Sequence, residues 1–397
     1  AALEHVRDLR DTFVDLVLAN TTDEMDAEHL IQDSAELLDA HRLRVGEREI
    51  SADAIVVATG ARSVVPDAWR AEFADGILTA DDIFEQEELP ASVAVIGLGP
   101  IGLEIGQALH RLGVAVTGVD HGQRLSRIQD PAVNRAAVDI FQREFPLWLG
   151  DEPRVERCDG GFRVRAGERE TIVEKLFLAL GRRPNLERLR LDRLGVTMGD
   201  HGMPRYDPET LRVGRTSVYM AGDAAGGIAN LQRAAAQGRI AGFNAVHRRK
   251  RRWPAKTPMA IVFSEPNVAA VGMPWCDFDE RHMAVAEQRF GPVGRALIMG
   301  QNRGLLRVYA ARRSGRILGA SMVGPRCEHL AHLLAWAIEE KMTVDRALAM
   351  PFYHPVIEEA LQDALLELKA ELAKARHGWA NGWLSPARTL NRSPAPS

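Results

Sequence analysis

The sequence predicts an α/β protein with Rossmann-like nucleotide binding, followed by an α+β C-terminal part. Three observations predict it. The stretch "VAVIGLGPIGLEIG" (93–106) runs apolar like a strand, breaks into glycines, and resumes at helical spacing. Three further apolar runs end in glycine or small residues: "ADAIVVATGARSVVP" (52–66), "VEKLFLALGRRPN" (173–185) and "VYMAGDAAGG" (218–227). After Pro254 the pattern changes: "GLLRVYAARRSGRILGASMVG" (304–324) alternates and carries turn signals, as antiparallel strands do.

In chain order, residues 1–18, "AALEHVRDLRDTFVDLVL", read as an amphipathic helix and not as a signal peptide. The run 52–66 reads as a buried strand with a Thr-Gly end, and 173–185 as another ending at Gly181. "CEHLAHLLAWAIEEK" and "VIEEALQDALLELKAELAKA" have helical spacing, and "SPARTLNRSPAPS" reads as a disordered tail. No repeat of solenoid period is present.

With 397 residues there is room for two or three domains with real cores. A content of 46% hydrophobic and 26% charged residues is that of an ordinary globular chain. A net charge of −4 gives no electrostatic reason to expect nucleic acid or membrane as a partner. No apolar run approaches the roughly 18 residues of a membrane helix. The three cysteines, Cys158, Cys276 and Cys327, are scattered, which argues against a disulfide framework and for a reducing, cytoplasmic setting. The chain does not open with methionine, so Ala1 is not expected to be the start of translation.

Gly97, Gly99 and Gly102 form G-x-G-x-x-G between a strand and a helix, and Gly106 extends the pattern. Such glycines permit a tight turn and let backbone amides approach a pyrophosphate at a helix N-terminus. Asp120 closes the next strand, "VAVTGVD", 120 − 97 = 23 residues on, near the distance of a carboxylate that binds a ribose 2′-hydroxyl. A 2′-phosphate about 4 Å from that carboxylate would be repelled by roughly 1 to 4 kcal/mol per charge pair, so NAD is favoured over NADP. His121 and Arg124 would offset part of this. The alternative is a glycine-rich strand–helix turn without a ligand.

The stretch "FYHPVIEEAL" (352–361) holds a histidine before a proline, with carboxylates a turn further on, the makings of an acid/base group. By itself His354 also reads as a turn histidine capping the following helix. Together these pieces resemble the pyridine nucleotide–disulfide oxidoreductases. "ATGAR" resembles the family's A-T-G, "GLGPIGLEIG" its NAD fingerprint, "ALGRRPN" its A-x-G-R-x-P-N, and "VYMAGDAA" its second FAD motif. "FSEPNVAAVG" (263–272) resembles the opening of the interface domain, and "HPVIEEA" its H-P-T-x-x-E. The resemblance runs to about residue 375.

It implies two Rossmann-like domains, one for FAD and one for NAD, and a C-terminal α+β dimerisation domain. Residues 1–88 would be what remains of the FAD domain and 89–186 the NAD domain. A second FAD segment would span 187–255, an interface domain 256–380, and a tail 381–397. Cofactor contacts would come from Gly97, Gly99, Gly102, Glu104, Gly106, Asp120, Ala179, Gly181, Gly60, Gly222 and Asp223. Asp223 would bind the ribityl chain. Glu104 would lie near nicotinamide and flavin, where the family pairs it with a lysine, unless it is simply a helix-surface carboxylate. His354 would exchange a proton with one cysteine of a C-x-x-x-x-C disulfide, and Glu359 would orient its ring.

That disulfide, the first G-x-G-x-x-G and the lysine opposite Glu104 do not occur in this sequence. All three would precede its first helix, so the sequence is expected to be an N-terminally incomplete form of a full enzyme. In the family the thiol also belongs to the partner subunit of a homodimer. Departures from the pattern are Ser63 for proline, Val356 for threonine and Arg307 for lysine.

None of the three cysteines suggests a replacement thiol. Cys327 and His329 cannot share a helix face, although His329 and His332 can, and no metal site is expected. The run "HRRKRRW" (247–253) reads as a solvated linker face, and no nucleic acid partner is expected.

The expected activity is electron transfer between NAD(H) and a lipoyl-bearing or small dithiol, with dihydrolipoamide dehydrogenase the first choice within the family. Alternatives are a soluble transhydrogenase, a mercuric or other disulfide reductase, and a non-catalytic NAD(H)-binding dimer scaffold.

Overall fold

The structure, a computed structural model, describes residues 2–227 and 229–382, with side chains to residue 374. The expected tail beyond 382 lies outside the described residues. The chain groups into two compact units, 1–126 with 144–255, and 127–143 with 256–397.

The first unit is built on a five-stranded parallel sheet. Its order is Ile77–Leu78, Lys175–Leu178, Ser92–Ile96, Ala115–Asp120, Leu147–Leu149. The central strand is apolar throughout because both faces are covered, and Val93, Ala94, Val95 and Ile96 are all buried. The helix Pro100–Arg111 turns Gly102, Leu103, Gly106 and Leu109 inward, a stripe of helical period. The edge strand Ile77–Leu78 precedes residue 89, so this sheet draws on chain earlier than the boundary expected from the sequence. Beside it lies an antiparallel meander, Arg154–Cys158, Gly161–Ala166 and Arg169–Val173. There Phe162, Val164 and Ala166 point inward while the intervening arginines do not. Cys158 ends the outer strand, half-buried.

The rest of this unit holds a parallel pair, Ile55–Val57 with Val218–Met220. Its core is Leu37, Ile55, Val57, Leu186, Val213, Val218 and Met220. The run 52–66, expected as one buried strand, is ordered as two separate three-residue strands, Ile55–Val57 and Ala61–Ser63, and Val56 is 40% exposed. Among the described residues the first strand has a single neighbour and one covered face, so alternate residues stay open. The second strand pairs with Arg182–Pro184. The helix Ala2–Ala19 has no buried residue, and its apolar side, including Phe13, is exposed.

Ion pairs brace the Ala61–Ser63 ladder. Glu187 accepts from Arg62 at 2.6 Å and lies 3.0 Å from Arg183. The hydrogen bond from Arg62 holds its carboxyl down at about 2 against an ordinary 4.5. A depressed carboxylate stabilises the fold above its unfolded pKa, and that contribution fades as pH falls from about 4.5 to about 2. The side chain is 38% exposed, so screening limits the effect to about 1 kcal/mol or less. Glu187→Gln is expected to lower the urea midpoint slightly at neutral pH and to match the wild type near pH 2. An equal difference at both pH values would refute the pair's role.

The second unit is an antiparallel sheet ordered Met259–Val262, Asn267–Gly272, Ile317–Gly324, Leu305–Ala311, Met283–Arg289. The strands 305–311 and 317–324 appear where the alternation predicted them. The helices Cys327–Glu339 and Glu359–Gly382 pack against this sheet, and so does Pro131–Phe141. Asp130, fully buried, caps the last of these helices by accepting from Ala132 N at 2.9 Å and Val133 N at 3.3 Å. The same carboxylate accepts from Arg307 Nη1 at 2.7 and 2.9 Å and from Tyr309 Oη–H at 2.7 Å. Arg307 also lies 4.6 Å over the Trp275 ring, which is stacked on Phe278. Burial and the Asp130 charge push the Tyr309 hydroxyl far above its ordinary range, so it remains a donor.

Among the described residues no helix is long and apolar enough to cross a membrane.

Candidate active site

The glycine loop is assembled in the first unit by strand and helix together. Gly97 has φ +94°, and a Cβ there would lie 2.6 Å from the Ala179 carbonyl oxygen. A Cβ on Gly102 would lie 1.9 Å from the Gly97 carbonyl oxygen, so only glycine lets this helix approach its strand. Gly99 is the N-cap, extended and facing open space, which leaves the first helical amides accessible to a pyrophosphate. Gly106 has ordinary room around it, so its glycine is not sterically required.

Asp120 ends the neighbouring strand and turns back to this loop. Its Oδ2 accepts from Leu98 N at 2.6 Å and its Oδ1 from Gly122 N at 2.7 Å. Both bonds leave lone pairs, so the carboxylate can still accept from a ribose hydroxyl. His121 lies 3.6 Å from it and Arg124 is exposed. Gly97, Gly99, Gly102, Asp120 and Ala179 thus converge on one loop, and their shape fits a dinucleotide. Glu104 is half-buried on the same helix.

The loops carrying Gly60 and Gly181 are latched to each other. Asn185 Nδ2 donates to Thr59 O at 3.0 Å, Thr59 Oγ1 donates to Asn185 O at 2.8 Å, and Asn185 N donates to Gly60 O at 3.0 Å. This explains why an asparagine closes "GRRPN". Ser63, a departure from the family pattern, donates to Asp81 at 2.9 Å, which in turn pairs with Arg182. Gly222 N donates to Gln237 Oε1 at 3.0 Å, and Asp223 follows, half-buried, in the next turn.

In the second unit His354 and Glu359 meet. His354 Nδ1 lies 2.6 Å from Glu359 Oε1. The bond to His354 keeps the Glu359 carboxyl below its ordinary pKa, so it accepts while Nδ1–H donates. That tautomer leaves the lone pair on Nε2. The side chain of His354 is 79% exposed, and the peptide bond to Pro355 is cis. Glu359 opens a helix whose Ala360, Leu361, Ala364, Leu365 and Leu368 side chains are buried, with Ile357 buried just before it, so its position is fixed by the core. The side chain at position 356 is not the anchor: Val356 N–H donates to Glu359 Oε2 at 3.2 Å. Main-chain donation of this kind leaves no mark in the sequence, so the reading of residue types missed it.

Cys327, buried in the core, has its thiol raised well above the ordinary value by burial and then by Glu328, so it remains a thiol. Cys276 is exposed in a short turn. His329 and His332 are exposed on the helix, and His332 Nδ1 is bonded to Glu328 O. Among the described residues, the one His, Cys, Asp or Glu group close enough to share an ion is Asp26, Glu28 and His29, all exposed.

A family profile described as pyridine nucleotide-disulphide oxidoreductase matches residues 4–238, and that family's dimerisation domain matches 258–365. Mercuric reductase from Acidithiobacillus ferrooxidans is 31% identical over 321 residues, 80% of this chain and 58% of that protein. Dihydrolipoyl dehydrogenase from Bacillus subtilis is 29% identical over 358 residues, 85% of this chain and 75% of that protein. This chain therefore spans between half and three quarters of the length of these curated relatives. Among solved structures, the HOCl-induced flavoprotein disulfide reductase RclA from Escherichia coli superposes with a TM-score of 0.81 at 22% identity, which shows the fold. The match covers 92% of this chain and 85% of that one.

Proposed function

Because the chain belongs to the pyridine nucleotide-disulphide oxidoreductase family, whose members use FAD and NAD(P)H, we propose that the complete protein is a homodimeric dihydrolipoamide dehydrogenase. One observation carries the reading. An exposed imidazole is fixed at Nδ1 by an ionised carboxylate, which leaves the lone pair on Nε2.

Such a group is built to take a proton from a thiol it does not itself carry. FAD, when bound, relays an electron pair between the dithiol and nicotinamide. The chain's own residues would hold the rest. Gly97, Gly99 and Gly102 would seat the pyrophosphate and Asp120 the ribose, with a preference for NAD. Ala179 would close the back of that loop. Gly60, Gly181, Gly222 and Asp223 would border FAD, and Glu104 would lie at the meeting of the two rings. His354 Nε2 would accept the thiol proton, and Glu359 would stabilise the imidazolium. The partner subunit would receive this histidine. Trp336 and Tyr353, exposed by 69% and 79%, supply apolar surface on the unit that carries the dimerisation match.

The test is a substrate panel on the intact protein, with lipoamide, glutathione disulfide and mercuric ion each offered with NADH and with NADPH. Turnover restricted to lipoamide and NADH is the expected outcome. Turnover of mercuric ion alone would move the protein to a mercuric reductase, and a colourless protein that binds NADH would leave a scaffold. Val356→Thr is expected to keep lipoamide turnover within about twofold, since the main chain makes the contact with Glu359. A loss near tenfold would show that the side chain matters.

A further inference from the structure

Five consecutive cations, Arg248 to Arg252, do not form a loose linker. They lie on a loop that closes back on the helix Leu231–Val246. The buried Asn244 makes the closure. Its Nδ2 donates to Arg251 O at 3.0 Å and to Thr210 O at 3.1 Å, and its Oδ1 accepts from Arg251 N at 2.8 Å. Trp253 N donates to Glu209 O at 3.0 Å just beyond.

The loop therefore holds like charges together, a cost unless something opposes them. Among the described residues Arg252 is the one of the five that pairs with carboxylates, Asp207 at 3.1 Å and Glu209 at 2.6 Å. Lys250 donates to the carbonyls of Asn244 and His247 at 2.5 and 2.7 Å, which neutralises the negative end of the helix. Capping the helix needs that one lysine; Arg251 lies over the Phe243 ring, and neither it nor Arg249 pairs with a carboxylate among the described residues. Together Phe243, His247, Arg249, Lys250, Arg251 and Arg252 line a cavity of about 570 Å³, a size that suits a small ligand.

We propose that this cavity binds a compact solute carrying several phosphoryl groups, such as an inorganic oligophosphate or a polyphosphorylated sugar. Guanidinium groups match phosphate oxygens two at a time, and with Arg252 already paired to Asp207 and Glu209 a singly charged anion would still leave two of the other three cations, Arg249, Lys250 and Arg251, without an opposite charge. A stacked nucleic acid base is disfavoured by the aromatic arrangement. His247 already stacks on Phe243 at 3.8 Å, Arg251 lies 5.0 Å over the same ring, and Trp253 meets it edge-on at 5.3 Å. No free aromatic platform of the kind single strands use is left on Phe243. This site is independent of the redox reading, since none of its residues takes part in the dinucleotide loop or in the His354 pair.

The test is calorimetry on the full chain with saturating NADH to occupy the glycine loop, titrating tripolyphosphate, orthophosphate and a short single-stranded oligonucleotide. Tripolyphosphate is expected to bind about tenfold or more tighter than orthophosphate, and to weaken as salt rises. The Arg249→Gln, Arg251→Gln double variant should lose about tenfold or more in affinity with NADH binding and circular dichroism unchanged. Arg249→Gln alone, at an exposed position, should lose part of it and guards against misfolding of the double variant. Wild-type affinity in both variants would overturn the proposal. So would equal binding of tripolyphosphate and orthophosphate, or tighter binding of the oligonucleotide.

Discussion

Replacing His354 with glutamine is expected to lower lipoamide turnover of the intact, FAD-loaded protein by about 10² to 10⁴-fold. Glutamine can keep a hydrogen bond to Glu359 but has no group that takes a proton near neutral pH. The loss should fall in the half-reaction between dithiol and protein. Reduction of the flavin by NADH, followed by its absorbance under anaerobic conditions, should proceed at close to the wild-type rate. This division separates a proton-transfer role from a structural one, because a misfolded variant would lose both halves. Wild-type lipoamide turnover in His354→Gln would remove the imidazole from the mechanism. Loss of the NADH half-reaction as well would make it a structural residue.

The second large effect concerns stability. Asp130 is fully buried, and Arg307, the residue that pairs with it, is only 13% exposed. Asp130→Asn keeps a helix-capping side chain but leaves the guanidinium, 13% exposed, with only Glu287, 3.5 Å from its Nε, as counter-charge. Removing one partner of a buried pair costs about 3–5 kcal/mol. Asp130→Ala should cost about 1 kcal/mol more, because the cap on Pro131–Phe141 is lost as well. Arg307→Lys should also destabilise, since a single ammonium cannot be at once within reach of Asp130, of Glu287 and over the Trp275 ring as the extended guanidinium is. Denaturant midpoints followed by Trp fluorescence would check all three. An Asp130→Asn variant as stable as the wild type would mean that the carboxylate's charge contributes nothing there.

Much of the site was legible because its signals are local. A strand, a glycine turn and a helix within fourteen residues mark the glycine loop proposed to hold a dinucleotide, and His354 lies five residues from Glu359, within reach of one turn. The strands 305–311 and 317–324 announced themselves by alternation. The capping role of Asp130 also had a local signal, an aspartate directly before a proline at a helix start, which the reading passed over. Its pairing with Arg307, 177 residues away, had none. The run 52–66 misled for a related reason: apolar composition marks a strand without saying how many neighbours cover it.

By itself, the sequence determined the order of elements, the glycines that no other residue could replace, and the histidine–carboxylate pair. Those features rest on sterics and on contacts between residues close along the chain. Only the tertiary structure decided that Val356 holds Glu359 by its main chain, that Asp130 and Arg307 form a buried clamp, and that Asn244 folds a basic run into a cavity. Each of these depends on where a backbone amide or a distant side chain ends up in space, which spacing along the chain does not encode.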